Sequence, residues 1–183
     1  IQKEMDCNCI RTAHNPPAPE LLHLCDEIGF IVMNETFDMW KLPKTKYGYS
    51  YYWDEWHEQD LCDHILRDSN HPSVFFWSIG YEVLEQWQPH GTEMAAKGTD
   101  IVKELDPTRP FTASKNHAVP EYFLIQSGGL DLIGYKYKLD EADNLIHVSA
   151  AGNASIAPVD NGNETNHQPF QGEQISVFHG KCL

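Results

Sequence analysis

The chain has 183 residues, with 27 acidic side chains, 13 basic ones and a formal net charge of −14 at pH 7. A surface this negative repels phosphate backbones and anionic membranes, which argues against a nucleic-acid-binding or membrane-surface protein. Apolar residues make up 41% of the chain, as in a folded domain, and no apolar run approaches the ~18 residues that cross a bilayer. Because the sequence starts at Ile1 without an initiator Met or a signal-peptide pattern, we expect a truncated N-terminus.

Short apolar runs alternate with amphipathic stretches as far as about residue 138. The runs predict five strands, at 9–12, 30–33, 74–79, 110–113 and 130–135. Three helices are predicted between them, at 20–28, 55–67 and 91–105. Gly29 suits the position after the first helix, and Asp54 suits the N-cap of the second. Strands alternating with helices indicate parallel strands joined by right-handed crossovers.

Two architectures fit this alternation: a doubly wound sheet and an eight-fold (β/α) barrel. No glycine-rich phosphate loop follows any predicted strand, which weighs against nucleotide binding. Polar residues instead cluster just after the strand ends, where a barrel builds its active site. These residues are Arg11 to Asn15, Asn34, Glu35, Glu82, Lys115, Asn116 and Tyr135 to Tyr137.

The composition changes at about residue 140. A short strand-like piece at 143–148 is followed by segments dense in Gly, Asn and Pro, which is the chemistry of hairpins and loops. We therefore predict that the tail is all-β and belongs to a second domain. The five cysteines lack the paired spacing of a zinc site, and we interpret Cys9, Cys25 and Cys62 as small buried apolar residues. The sequence indicates no metal and no cofactor.

Glu82 is the first catalytic candidate, because it directly follows the most apolar predicted strand. Apolar neighbours would desolvate its carboxyl group and raise the pKa, which suits a general acid. The alternative is an ordinary exposed Glu at the start of a loop. His14 and Asn15 follow a strand and precede a rigid proline turn, where they face a pocket or satisfy local backbone groups.

Acidic and aromatic residues also follow the second and third predicted strands. Glu35 and Asp38 come after the second strand, while Trp40, Trp53 and Trp87 lie in or beside the predicted rim loops. Exposed aromatic rings stack on the C–H faces of sugars, although loop aromatics also pack on the scaffold. Acidic residues beside aromatic rings favour a neutral sugar or polyol over an anionic ligand.

Several segments in order resemble glycoside hydrolase family 2, the β-galactosidase family. Residues 8–26, which include His-Asn-Pro-Pro-Ala-Pro at 14–19, are similar to its second strand and helix. Residues 30–38 resemble its third strand, and Arg-Asp-Ser-Asn-His-Pro-Ser-Val at 67–74 with Trp-Ser-Ile-Gly-Tyr-Glu at 77–82 resembles its fourth. Residues 105–110 and 133–137 resemble the fifth and sixth, and the tail resembles part of a β-sandwich that follows the barrel.

The resemblance implies an α/β fold: strands 2 to 6 of an incomplete (β/α)8 TIM barrel over residues 1–138, then a partial all-β sandwich over 139–183. It also implies retaining hydrolysis of terminal β-glycosides by two carboxylates about 5–5.5 Å apart. Glu82 matches the general acid/base, His14 and Asn15 match substrate-side residues, and Tyr137 matches the tyrosine that contacts the nucleophile. Asp38 and Trp40 are further expected sugar contacts. Because family members are often exported, a periplasmic or secreted location is favoured.

The chain departs from the family pattern in ways that predict a defective enzyme. The seventh strand, with its nucleophilic Glu, and the eighth are missing, and Glu141 lies in a linker with no strand to position it. The family's Asn before the acid/base is Tyr81, its Asp before Glu35 is Asn34 (which we interpret as the loss of a rim charge), and its sixth-strand Asn is Lys136. We expect no appreciable hydrolysis. The alternatives are a non-catalytic sugar-binding remnant, and a fragment that needs an oligomer or a partner to complete the barrel.

Overall fold

The computed structural model describes residues 1–115, 123–126, 128–135, 145–148 and 154–157, and side chains are described within these ranges up to Leu132, except those of Lys115, Ile125 and Gln126. Within them, helices and strands alternate as predicted. The strands are β1 (Cys9–Arg11), β2 (Ile31–Glu35), β3 (Val74–Tyr81), β4 (Phe111–Lys115), β5 (Leu132–Tyr135), β6 (Leu145–Val148) and β7 (Ala154–Ala157). The α-helices are α1 (Pro19–Ile28), α2 (Trp53–Asp68), α3 (His90–Leu105) and the short α4 (Phe123–Gln126).

The first five strands form one parallel sheet in the order β1-β2-β3-β4-β5. Neighbours in sequence are therefore neighbours in space, so the carboxyl ends of all five strands lie along one edge. The order never reverses, as it would in a doubly wound sheet. Strands β6 and β7 form a separate antiparallel pair, which agrees with an all-β tail.

Helix boundaries follow local chemistry in one case and depart from it in another. Gly29 ends α1 with φ +73°, and its N–H bonds the carbonyl of Cys25, as the sequence predicts. Asp54 does not cap α2: the N-cap is Tyr52, and Asp54 lies in the first turn. The Asp54 carboxylate instead accepts hydrogen bonds from Lys41 Nζ at 2.7 and 2.9 Å.

The sheet has two faces with different environments. Val32 packs in the apolar core with Leu22 and Cys25 of α1, so that face of β2 is covered by helices. Because side chains alternate along a strand, Glu35 points to the opposite, concave face. Its partner in register on β3 is Ser78. The concave face therefore carries polar groups near the carboxyl ends of the strands.

A buried ion pair lies near the start of β3, at the opposite end of the sheet from these polar groups. The Asp106 carboxylate, only 4% exposed, accepts hydrogen bonds from Trp77 Nε1 at 2.9 Å and Arg109 Nη1 at 2.6 Å. Burial by itself would raise the pKa of Asp106, but hydrogen bonds from Thr108, Arg109 and Trp77 outweigh it and lower the pKa to about 2. Arg109 also donates to the carbonyl of Val74 at 2.6 Å, so this pair ties α3 to the start of β3.

Candidate active site

The ends of β1 and β2 bring His14 and Glu35 together. His14 Nδ1 lies 2.7 Å from Glu35 Oε1, and Ser78 Oγ donates to Glu35 Oε2 at 2.8 Å. The Glu35 carboxylate is fully buried, whereas the side chain of His14 is 27% exposed. Glu35 therefore holds the imidazole in one orientation, with Nδ1 as the donor, at the edge of the concave face.

Glu82 follows the last residue of β3 at a break in the sheet register. The pairing of β3 with β4 shifts between Ser78 and Tyr81, and Glu82 takes φ +42°, an uncommon value for a residue with a side chain. Its N–H donates to the carbonyl of Ser114 at 2.8 Å, which fixes the backbone. Glu82 Oε1 is buried and has no hydrogen-bond partner among the residues that the structure describes. A buried carboxyl oxygen without a partner is uncommon in a folded protein, which makes Glu82 a candidate functional group.

Tyr81 lies between these two elements. Its ring stacks on His14, with ring centroids 3.5 Å apart and an interplanar angle of 16°. Two cations also face the ring: Lys44 Nζ is 4.6 Å from its centroid and Arg11 Cζ is 5.1 Å away. Tyr81 thus joins the ends of β1 and β3 to the loop after β2.

Asp38, a predicted sugar contact, is engaged within that loop. Lys44 Nζ lies 2.5 Å from the carbonyl oxygen of Asp38 and 3.2 Å from its Oδ1, and it also donates to the carbonyl of Tyr81. The Asp38 side chain is 32% exposed. Lys44 therefore ties the loop to the strand end that carries Glu82, and Asp38 stays partly accessible there.

Asn15 is exposed and lines a separate cleft of about 260 Å³ between the β1–α1 loop and α2. The other lining residues are Pro16, Thr36, Phe37, Tyr49, Asp60, Asp63, His64 and Arg67. Glu82 and His14 do not line this cleft. The structure therefore divides the predicted sugar-binding residues, with His14 beside Tyr81 on one side and Asn15 on the other.

The tryptophans expected at the rim occupy different environments. Trp40 is 2% exposed, and its Nε1 donates to the carbonyl of Ile79 at 2.7 Å, so it packs on the scaffold. That burial contradicts the prediction of Trp40 as a sugar contact, because a stacking platform needs an open ring face. Trp53 is likewise buried, whereas Trp87 is 51% exposed. Tyr137 lies outside the described residues.

A buried polar network at the ends of β2 and α2 was missed by sequence reasoning. Asn34, interpreted as a rim residue, is fully buried on the helix side, and its Nδ2 donates to Asp68 Oδ2 at 2.8 Å. That interpretation is wrong, because the alternation of β2 turns Asn34 away from the concave face. Arg67 Nε lies 2.6 Å from Asp68 Oδ1, and His64 Nε2 lies 3.1 Å from Oδ2. The (i, i+4) spacing of His64 and Asp68 was the available signal.

The network shifts two pKa values. Burial would raise the pKa of Asp68, but hydrogen bonds from Arg67, His64 and Asn34 outweigh it and hold the pKa well below its usual range. Burial lowers the pKa of His64 and outweighs the opposing attraction of Asp68, so its imidazole is neutral. Thr36 Oγ1 lies 2.9 Å from His64 Nδ1. In the tautomer with the proton on Nε2, which faces Asp68, Nδ1 accepts a hydrogen bond from the Thr36 hydroxyl.

No group of three or more His, Cys, Asp or Glu side chains in the described part of the chain is arranged to hold a metal ion. No helix in the described ranges has the length and apolar character needed to cross a membrane.

Comparison with known proteins connects this geometry to one family. Residues 1–147 match the model described as "Glycosyl hydrolases family 2, TIM barrel domain", and residues 135–183 match "Glycoside hydrolase family 2 C-terminal domain 5". The chain is 49% identical over 176 residues to the β-galactosidase BoGH2A of Bacteroides ovatus, covering 79% of this chain and 21% of that protein. It is 44% identical over 125 residues to a putative β-glucuronidase of Formosa agariphila, covering 68% and 11%.

Solved structures are similar as well. A family 2 glycosyl hydrolase from Bacteroides cellulosilyticus superposes with a TM-score of 0.71 at 40% identity, covering 75% of this chain and 18% of that one. A β-glycosidase from Bacteroides vulgatus gives a TM-score of 0.63 at 41% identity, covering 74% and 16%. The chain therefore spans between 11% and 21% of the length of these relatives.

Proposed function

This chain belongs to glycoside hydrolase family 2, and from that premise we propose that residues 1–138 supply the acid/base half of a retaining β-glycosidase site. Glu82 is the general acid/base, and His14, Asp38 and Tyr137 contact the sugar. Asn15 does so only if the cleft beside α2 is continuous with the site. A β-galactoside is the first candidate substrate, because the relative that is 49% identical is named a β-galactosidase.

One observation carries this proposal: Glu82 directly follows β3 at a break in the sheet register, with φ +42°, and its buried Oε1 has no hydrogen-bond partner in the described part of the chain. Leaving a buried carboxyl oxygen unpaired is costly, and a catalytic role is one recognised reason why a folded protein keeps such a group. A protonated Glu82 held by its backbone bond to Ser114 would donate its proton to the glycosidic oxygen. The opposite carboxylate, the nucleophile, has to come from another strand.

We further propose that these 183 residues alone do not hydrolyse glycosides. Residues 136–144 form the whole connection between β5 and β6. A single crossover to another parallel strand takes a dozen or more residues, which is more than this connection contains. The match to the C-terminal domain begins at residue 135 and overlaps the end of the barrel match, which runs to residue 147.

A chimera tests the role of Glu82 directly. Residues 1–135 would replace the equivalent segment of the B. ovatus β-galactosidase, which then supplies the remaining strands. We expect the isolated 183-residue chain to give no turnover of a chromogenic β-galactoside. In any chimera that turns over, we expect Glu82→Gln to lower kcat by about 10²- to 10⁴-fold. Glu85→Gln is the matched control: Glu85 is also buried, its Oε1 accepts from the backbone N–H of Leu42 and its Oε2 is likewise unpaired among the described residues, but it does not lie at the end of β3. Undiminished turnover in the E82Q chimera would refute the assignment.

A non-catalytic sugar-binding chain is the second candidate. The partly exposed His14 imidazole, fixed at Nδ1 by Glu35, favours it. Calorimetric titration with galactose tests it, and the absence of a saturable signal at millimolar sugar would remove it.

A chain that needs an oligomer or a partner to complete the barrel is the third candidate. Within the described sheet β1 pairs only with β2 and β5 only with β4, and Phe75 is 51% exposed within β3. Size-exclusion mass and a thermal transition test it, since a monomer that unfolds cooperatively would argue against it.

A further inference from the structure

We propose that Tyr81 closes the sugar site of this chain, so that sugar binding at the rim requires its ring to move or be removed. This inference rests on the proposed function, because it concerns the site formed by Glu82 and His14. Tyr81 immediately precedes Glu82, and its ring stacks on the His14 imidazole at a centroid distance of 3.5 Å. That separation is van der Waals contact, so no ligand atom fits between the two rings.

The position of the Tyr81 ring is determined from several sides. Its stacking partner is itself held, because Glu35 lies 2.7 Å from His14 Nδ1 and is fully buried. The cations of Lys44 and Arg11 lie 4.6 and 5.1 Å from the ring, where each is attracted to its π-face. The backbone is held as well: Tyr81 N donates to the carbonyl of Phe37 at 3.1 Å, and Lys44 donates to the carbonyl of Tyr81.

These contacts make the closed arrangement favourable without a ligand. Stacked aromatic pairs contribute beyond their buried area, and each partly desolvated cation–π contact adds to this. A sugar that approaches His14 from the covered face must displace the ring and lose all three contacts. A small polar side chain at position 81 could neither stack on the imidazole nor attract the cations, so the same face would be open.

Two substitutions at position 81 separate the ring from the hydroxyl. Tyr81→Asn removes the ring, whereas Tyr81→Phe keeps the ring and removes only the hydroxyl. Tyr51→Asn, at a residue that is 71% exposed, is the matched control for the loss of a tyrosine elsewhere on the surface. All four proteins, including the unchanged chain, would be prepared as the full 183 residues and checked for equal far-UV circular dichroism.

The first measurement reports the contact itself, without any sugar. The imidazole protons of His14, assigned by comparison with His14→Gln, should resonate upfield because they lie over the Tyr81 ring. We expect Y81N to lose this shift, and Y81F and Y51N to keep it. An unchanged His14 spectrum in Y81N would overturn the proposal.

The second measurement is a calorimetric titration with methyl β-galactoside. We expect Y81N to bind about tenfold or more tightly than the unchanged chain, Y81F and Y51N. Equal affinities of Y81N and the unchanged chain would overturn closure by Tyr81. So would the absence of binding in both proteins. A failure of the proposed function would be seen in a different experiment: the E82Q chimera would turn over the β-galactoside as fast as the chimera with Glu82.

Discussion

The substitution Asn34→Asp tests the buried network between β2 and α2. It replaces an amide that donates to Asp68 Oδ2 at 2.8 Å with a second carboxyl group. Both side chains are fully buried, so water does not screen the new pair. Two full charges at that separation repel by about 6 kcal/mol at an effective dielectric constant of about 20.

The folded protein has a less costly response, which is to protonate one carboxyl group. In the unfolded chain this Asp has an ordinary pKa of about 3.9, which is about three units below pH 7. Keeping it protonated in the folded protein at pH 7 therefore costs about 1.36 kcal/mol for each of these units, or about 4 kcal/mol in all. The folded state then binds one proton more than the unfolded state, so stability falls as pH rises. At pH 4 the cost is below about 1 kcal/mol, because the unfolded carboxyl group is itself half protonated.

Urea unfolding of N34D and the unchanged chain, followed by Trp fluorescence at pH 4, 5.5 and 7, measures this difference. Asn34→Ala is the control, because it removes the hydrogen bond to a charged acceptor, worth about 1.5–3 kcal/mol, without adding a charge. Its deficit should not change between pH 5.5 and 7. An N34D deficit that is flat with pH, or below about 1 kcal/mol at pH 7, would refute the reasoning.

Three further predictions concern buried groups. The pKa of His64 is lower in the folded protein than in the unfolded chain, so the free energy of unfolding should decline as the pH falls below about 6.5. The pKa of Asp68 is lowered as well, which predicts a second decline below about pH 4. Urea midpoints across pH 3–8 check both, and a flat profile would contradict them. Asp106→Asn should cost about 3–5 kcal/mol by breaking a buried ion pair, whereas Asp54→Asn, at an exposed pair, should cost below about 1 kcal/mol in the same assay. Trp40→Phe should cost about 1–3 kcal/mol, because it leaves a buried carbonyl without its donor, and an unchanged thermal transition would argue otherwise.

The family resemblance and the partial α/β barrel were predictable from the sequence, and the matches over residues 1–147 and 135–183 confirm both. The predicted strands recur in the structure with shifted ends: β3 continues to Tyr81, two residues beyond its apolar run. Hydrophobic periodicity marks where a strand lies, but hydrogen bonding across the sheet decides where it stops. The bond from Tyr81 N to the carbonyl of Phe37 illustrates this, since its acceptor lies far away in the sequence.

Individual site residues were less predictable, because loops decide their surroundings. Trp40 and Asn15 both follow strand ends, yet the loop after β2 turns Trp40 into the core, and the proline turn carries Asn15 to a cleft beside α2. Asn34 was assigned to the wrong face of β2. One residue of offset reverses the direction of a strand side chain, and the pattern of a strand buried on both faces does not reveal that direction.

The sequence by itself determined the alternation of strands and helices, the family, and the collection of polar residues at one edge of the sheet. These follow from local periodicity and chain order, because parallel strands joined by crossovers place their carboxyl ends together. Only the tertiary structure decided that Tyr81 covers His14 and that Asn34 bonds Asp68. Each contact joins residues that are distant in the chain, so it depends on sheet register and loop packing, which no local pattern encodes.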